Sequence, residues 1–286
     1  MTRCFFVTDL HGQVDRYDAL FDAIARQRPD AVFVGGDLLP HALAHADNVR
    51  PTGGFLETVA AAGLQRLRDR LGPDYPAVFV ILGNDDGRRP ESTVRTIGER
   101  GLWTYAHEQR ITWGTFTVYG YNFVPPTPFR LKDWERYDVS RHADPGCLSP
   151  EEGSHSYPVS RHQVRHATIQ QDLERLTRKG NLDRAIFLFH APPYRTALDR
   201  AALDGKAIDY APLDVHIGSI AVRRFIEQRQ PWLTLHGHVH ESTRLTGAWM
   251  DRIGRTVMLN AAHDGPELSV IEFDPEDPSA AERRLW

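Results

Sequence analysis

Residues 77–86 read Ala77-Val78-Phe79-Val80-Ile81-Leu82-Gly83-Asn84-Asp85-Asp86: six apolar residues without a break, then a turn of small and acidic ones. An unbroken run of β-branched and large apolar side chains, stopped by Gly-Asn, predicts a strand buried on both faces, as strands are in parallel sheets. The same grammar occurs twice upstream. Phe5-Phe6-Val7 runs into Asp9-Leu10-His11-Gly12, and Ala31-Val32-Phe33-Val34 into Gly35-Gly36-Asp37. It returns downstream, where Ala185-Ile186-Phe187-Leu188-Phe189 meets His190-Ala191-Pro192-Pro193, and Trp232-Leu233-Thr234-Leu235-His236 meets Gly237-His238-Val239-His240. Between the first two runs Tyr17, Leu20, Phe21 and Ile24 make a helical stripe. A second helix is expected over about Leu56 to Leu71, with Val59, Ala60, Leu64 and Leu67 inward. Strand–loop–helix alternation of this kind predicts an α/β fold with a partly parallel sheet whose site residues gather at the C-terminal strand ends.

The chain has 286 residues, 34 Lys/Arg and 38 Asp/Glu, for a formal charge of -4. That length and balance fit one large domain, 1–274, and disfavour a protein built to coat nucleic acid. The stretch 125–160 is Pro-rich and poor in apolar runs. It is expected to be a surface insertion, and Phe129, Trp134, Tyr137 and Tyr157 would let it pack as a lid. Trp113 to Tyr121 reads as one strand, Ser160 to Arg178 as one helix, and Gly218 to Ile226 as a helix with Ser219 as N-cap. Strands at Thr256–Leu259 and Leu268–Phe273 close the fold, and 275–286 is expected to be a polar C-terminal tail, frayed except for Trp286. Cys4 and Cys147 make no disulfide framework or thiolate metal site, and Cys4 is expected to be a buried thiol. The N-terminal apolar run ends at Asp9, too short for a signal peptide or a membrane span, so a cytoplasmic protein is expected.

Five strand ends carry side chains that bind metals: Asp9 with His11, Asp37, Asn84, His190, and His238 with His240. In extended chain, residues i and i+2 point the same way, so the first and last pairs can each present two ligands to one side. Oxygen and nitrogen donors without a thiolate suit Mn or Fe, and also Zn. Seven exceed the needs of one tetrahedral ion and fit two adjacent ions sharing a carboxylate.

Asp9-x-His11, Gly36-Asp37, Gly83-Asn84-x-Asp86, His190 and Gly237-His238-x-His240, in this order, resemble the calcineurin-like metallophosphoesterases. The resemblance implies a four-layer α-β-β-α sandwich, two mixed β-sheets flanked by helices. It also implies that Asp9, His11 and His240 hold one metal, that Asn84, His190 and His238 hold the other, and that Asp37 bridges them together with an attacking hydroxide. Asp86 is expected behind this set, accepting an N–H from a ligating histidine.

The chain departs from the family at one position. Many members have Gly-Asn-His-Asp or Gly-Asn-His-Glu here, their histidine assisting the leaving group, whereas this chain has Asp85. An ionised carboxylate beside the phosphoryl group repels a monoester dianion more than a diester. The reading is therefore a small-molecule or nucleotide phosphodiesterase, with catalytic candidates Asp37, Asn84, Asp85, Asp86 and His190. The alternatives are a phosphomonoesterase, a protein Ser/Thr phosphatase, and a non-enzymatic metal-binding scaffold. Arg195 and His216 are candidates for the substrate phosphate, with His263 a further proton source. Arg88, Arg89 and Lys206 are weaker charge candidates. There is no phosphate loop of the GxxxxGK[ST] kind, and no membrane partner is expected.

Overall fold

The computed structural model describes residues 2–41, 52–178 and 180–286. The strands in its first half are β1 (Cys4–Val7), β2 (Ala31–Gly35), β3 (Ala77–Ile81), β4 (Thr104–Tyr105), β5 (Arg110–Trp113), β6 (Phe116–Tyr121) and β7 (Ala185–Phe189). Then come β8 (Ala207–Ile208), β9 (Ala211–Pro212), β10 (Leu233–His236), β11 (Met250–Ile253), β12 (Thr256–Asn260), β13 (Ser269–Asp274) and β14 (Asp277–Leu285). Two six-stranded sheets result, ordered β14-β13-β1-β2-β3-β4 and β11-β12-β10-β7-β6-β5, with β8 and β9 forming a separate hairpin. Each large sheet is mixed. In the first, β1 to β4 are parallel and β13 and β14 antiparallel; in the second, β12, β10, β7 and β6 are parallel, with antiparallel β11 and β5 at the edges.

Alternation along single strands builds the layers. Cys4 and Phe6 join Phe33, Phe79, Ile186, Leu188, Leu233 and Leu235 in a core between the sheets, while Phe5 and Val7 face the other way, into a second core under helices. That second core takes Leu20, Phe21 and Ile24 from the helix Val14–Gln27, and Phe225 and Ile226 from the helix Ile220–Arg229. Phe225 meets Phe187 edge-on at 4.9 Å between ring centroids, fixing a helix to the outer face of the second sheet. Full burial of a side chain such as Phe6 stabilises the fold by roughly 1.5–3 kcal/mol. The architecture is the expected α-β-β-α sandwich.

Several local expectations change. The strand expected over 113–121 forms from Phe116 as β6, while Trp113 ends β5 of a hairpin because Gly114, at φ 56, turns the chain between them. The helix expected over 160–178 is two, Arg161–His166 and Ile169–Thr177, broken at Ala167. Thr168 caps the second, its side chain accepting from the Gln171 amide. Residues 56–61 form one π-helical segment inside the helix expected there. The Ser219 cap stands, accepting from the Val222 amide, and Cys4 is buried. The polar run after Asp274 does not fray. It pairs antiparallel with β13 from Asp277 to Leu285 as an exposed edge strand, where alternating polar residues face water and Trp286 packs on Phe5. Of the four aromatics in 125–160, Trp134 and Tyr137 are buried and Phe129 and Tyr157 exposed. Asp133 accepts from the amides of Arg88 and Ser156, tying this stretch to the loop after Asn84.

Candidate metal centre

Parallel strands end at one edge, so the polar tips of β1, β2, β3, β7 and β10 converge there. The first two tips are laced together by backbone: the Asp9, His11 and Gly12 amides donate to the carbonyls of Gly36, Asp37 and Leu38 at 3.0, 2.7 and 2.9 Å. Such tight crossing demands left-handed backbone. Asp9, His11, Asp37 and His238 have φ of 57, 46, 51 and 73°, a conformation that L side chains adopt at a cost and that clusters at functional sites. Two glycines leave the room. A Cβ on Gly36 (φ 100°) would lie 2.7 Å from His190 Nδ1, and one on Gly83 2.2 Å from Asp37 Oδ1 and 2.6 Å from His190 Nε2.

The seven expected ligands come together in two adjoining groups. Asp9, His11, Asp37 and His240 bring one donor atom each to within 4.8 Å of one another. His240 Nε2 lies 3.1 Å from Asp9 Oδ1 and 3.1 Å from His11 Nε2. On the other side His190 Nε2 lies 3.2 Å from Asp37 Oδ2 and 3.1 Å from Asn84 Oδ1. The His238 ring sits edge-on to His190 at 5.2 Å, its amide donating to Asp9. Asp37 thus stands between the groups.

The donor chemistry fits cations. His190 Nδ1 donates to the Gly35 carbonyl at 2.8 Å, which turns Nε2 toward Asp37 Oδ2 and Asn84 Oδ1. The Asn84 amide nitrogen points to Asp85, so its oxygen is the atom turned inward. With His190 neutral these would be three acceptors facing one another, so the set calls for a positive charge. In their own charge balance the imidazoles supply it. Burial would lower His190, but the Asp37 carboxylate more than offsets this and raises it to about 10. His240 rises to about 9 for the same reason beside Asp9, which is itself held to about 2 despite its burial. His238, desolvated and next to His190, is pushed down to about 3. The set opens to solvent past His240 and Asp85, whose side chains are 34% and 21% exposed.

Asp86 has a different role from the one expected. Its carboxylate accepts from the amides of Leu38, Leu39 and Gly83 at 3.1, 2.8 and 2.9 Å and, among the described residues, from no histidine. Burial and Asp37 raise its pKa to about 7 against the pull of those three donors. Asp85 lies closer to the ligand set. Its amide donates to Asp37 Oδ1 at 2.9 Å, and its Oδ2 stands 3.0 Å from His41 Nδ1 and 3.6 Å from His11 Nδ1. Burial, then Asp37, raises its pKa to about 6. His41 escaped sequence reasoning, although it lies in the same loop as Asp37. Its ring stacks on His11 at 4.5 Å and 14°.

The remaining candidates have partners of their own. His216 Nδ1 pairs with Asp199 Oδ1 at 2.8 Å, and Asp199 also accepts the Arg195 amide at 2.9 Å. The exposed Arg195 guanidinium lies over the Tyr194 ring at 5.2 Å. His263 pairs with Glu267. The Arg88 and Arg89 amides hold Ser156, with the Arg88 guanidinium 5.3 Å from the Trp134 ring centre, and Lys206 is exposed. None of the described helices is long and apolar enough to cross a membrane.

The family model described as Calcineurin-like phosphoesterase matches residues 2–242. A shorter similarity, 34% identity over 82 residues, links the chain to the uncharacterized protein MJ1162 of Methanocaldococcus jannaschii, covering 28% of this chain and 32% of that one. Among solved structures, that of TT1561 from Thermus thermophilus superposes with a TM-score of 0.59 at 15% identity, covering 99% of this chain and 98% of that one. A dimetal phosphatase from Danio rerio superposes at 0.50 with 13% identity, over 94% and 92% of the two chains. At such identities these structures speak for the fold.

Proposed function

We propose that this chain, which belongs to the calcineurin-like phosphoesterase family, is a metal-dependent phosphodiesterase acting on a small-molecule or nucleotide diester. The observation that supports a metal centre most directly is the inward convergence of His190 Nε2, Asp37 Oδ2 and Asn84 Oδ1, where Asp37 holds His190 charged and a cation would take the place of its inward proton. Asp9, His11 and His240 would hold one ion, Asn84, His190 and His238 a second, and Asp37 both. Mn or Fe suits these donors, and Zn is also compatible. Two such ions supply an activated water and a clamp on the phosphoryl oxygens.

The chain's own residues do the rest. Asp37 Oδ1 takes the Asp85 amide, so its other oxygen is aimed at His190. With a cation in place of its inward proton, His190 would keep the Nδ1 proton on the Gly35 carbonyl and offer Nε2 as the ligand atom. Asp85 adds a partly exposed carboxylate beside the set. A dianionic monoester meets more repulsion there than a diester with one charge, which favours diesters. The test is hydrolysis of matched aryl diesters, aryl monoesters, cyclic nucleotides and phosphopeptides by protein stripped with a chelator and reloaded with Mn. Diester turnover should vanish on stripping and return with Mn. Turnover indifferent to chelation overturns the metal mechanism, and faster monoester or phosphopeptide turnover overturns the diester preference.

A further inference from the structure

A histidine that binds a cation must keep its lone pair on the inward nitrogen, and the proton goes where the other nitrogen finds an acceptor. His190 has that acceptor in the Gly35 carbonyl. Among the described residues His11 has no backbone equivalent. Its Nε2 faces inward, 3.1 Å from His240 Nε2 and 3.8 Å from Asp37 Oδ2. Its Nδ1 is buried and makes no hydrogen bond among the described residues. The group facing that nitrogen is Asp85 Oδ2, at 3.6 Å, and the same oxygen stands 3.0 Å from His41 Nδ1.

We infer that Asp85 is a positioning residue, its Oδ2 shared by the Nδ1 atoms of His11 and His41, that directs His11 Nε2 to the metal centre and seats His41 flat against the His11 ring. This rests on the reading of the site as a metal centre. Three features support it. Asp85 is itself fixed, by its amide on Asp37 Oδ1 and by the Asn84 amide nitrogen on its Oδ1, so Oδ2 is left for the two rings. The rings are near-parallel at 4.5 Å, an arrangement in which both Nδ1 atoms can address one oxygen. A carboxylate oxygen can accept two N–H groups, whereas a neutral imidazole has a single acceptor nitrogen. A histidine at this position could not serve both rings, which gives the departure from Gly-Asn-His a physical purpose distinct from proton donation.

The experiment uses the full chain, stripped of metal and titrated with Mn²⁺, with His11 tautomers read in the Zn-loaded protein by two-bond ¹H–¹⁵N correlation. Asp85→Ala should weaken the Mn²⁺ affinity of one site about 10- to 100-fold, the usual effect of removing a histidine's outer partner, and leave His11 in mixed tautomers. Asp85→Ser serves in its place if the alanine variant fails to fold. Asp85→Asn, which keeps an oxygen acceptor, should recover part of the affinity. His41→Ala should weaken binding less than Asp85→Ala. Parent-like affinity and a single His11 tautomer in the alanine or serine variant overturn the inference alone. A parent chain that takes up no Mn²⁺ overturns the metal-centre reading and this inference with it.

Discussion

The carboxylate of Asp86 and the amide of Leu39 meet at 2.8 Å across 47 residues of chain, joining the loop after β2 to the loop after β3. Its other oxygen takes Leu38 and Gly83. Because β2 and β3 are parallel, with Gly35 opposite Ile81, residues at similar distances past the two strand ends become neighbours. Asp86 therefore holds Asp37 and Asn84 at a fixed spacing without touching either side chain.

Replacing Asp86 with Asn keeps the shape but turns an amide N–H₂ toward buried amide donors. One such unsatisfied group costs about 1–3 kcal/mol, and a chain of this size should lose a few degrees in Tm per kcal/mol. Metal content per chain should fall as well. Thermal melts and elemental analysis measure both. An unchanged Tm with full metal content would remove Asp86 from this role.

Gly83→Ala places a methyl 2.2 Å from Asp37 Oδ1 and 2.6 Å from His190 Nε2. The loop must shift, and overpacking of this kind costs typically about 1–3 kcal/mol. Metal occupancy should drop in a protein that still folds, as judged by circular dichroism. Gly87→Ala, in the same loop and also without positive φ, where an added Cβ meets nothing closer than 3.4 Å, is the control. Equal occupancy in the two variants would refute a cradle at Gly83.

Asp37→Asn should harm the centre more than His11→Ala, because Asp37 stands between both ligand groups and His11 in only one. The expected pattern is loss of both metals in the first variant and of one in the second. Turnover should fall about 10²–10³-fold or more in the Asp37 variant, the scale of removing one charge-stabilising group. Two metals and near-parent turnover in Asp37→Asn would show that the carboxylate does not bridge.

His107 tests acid stability away from the centre. It is buried among Tyr105, Tyr121, Phe123 and Trp134, and its Nδ1 accepts the Asn122 amide at 3.1 Å. Burial first, then Arg136, Arg88 and Arg95, hold its pKa well below the usual value. The unfolded chain takes up a proton below pH ~6.5 that the native chain refuses, so stability falls as pH falls through that value. The slope from this one group is at most about 1.4 kcal/mol per pH unit. His107→Asn, whose oxygen can replace Nδ1 as acceptor, should flatten the Tm profile between pH 7 and pH 5 while leaving it unchanged above pH 7. Parallel profiles for parent and variant would show that His107 does not contribute to the acid slope.

The apolar runs and the residues that stop them were legible in the sequence, because burial on both faces of a parallel strand requires unbroken apolar residues and a parallel sheet puts its polar tips at one end. Phe5-Phe6-Val7 with Asp9, Val78 to Leu82 with Asn84, and Ile186 to Phe189 with His190 all obey that local rule. The Ser219 cap was legible for a similar reason, since its partner is three residues away. What escaped depends on contacts between segments distant in sequence. The polar residues 277–285 become a strand only because β13 offers them an edge to pair with, which composition does not record. Asp85 and Asp86 are adjacent in the chain, and nothing in their order tells which faces the ligands. The tertiary structure decides it: β2 lies beside β3, so Asp86 meets the amides of Leu38 and Leu39, and Asp85 is turned to His11 and His41 at the ligand set.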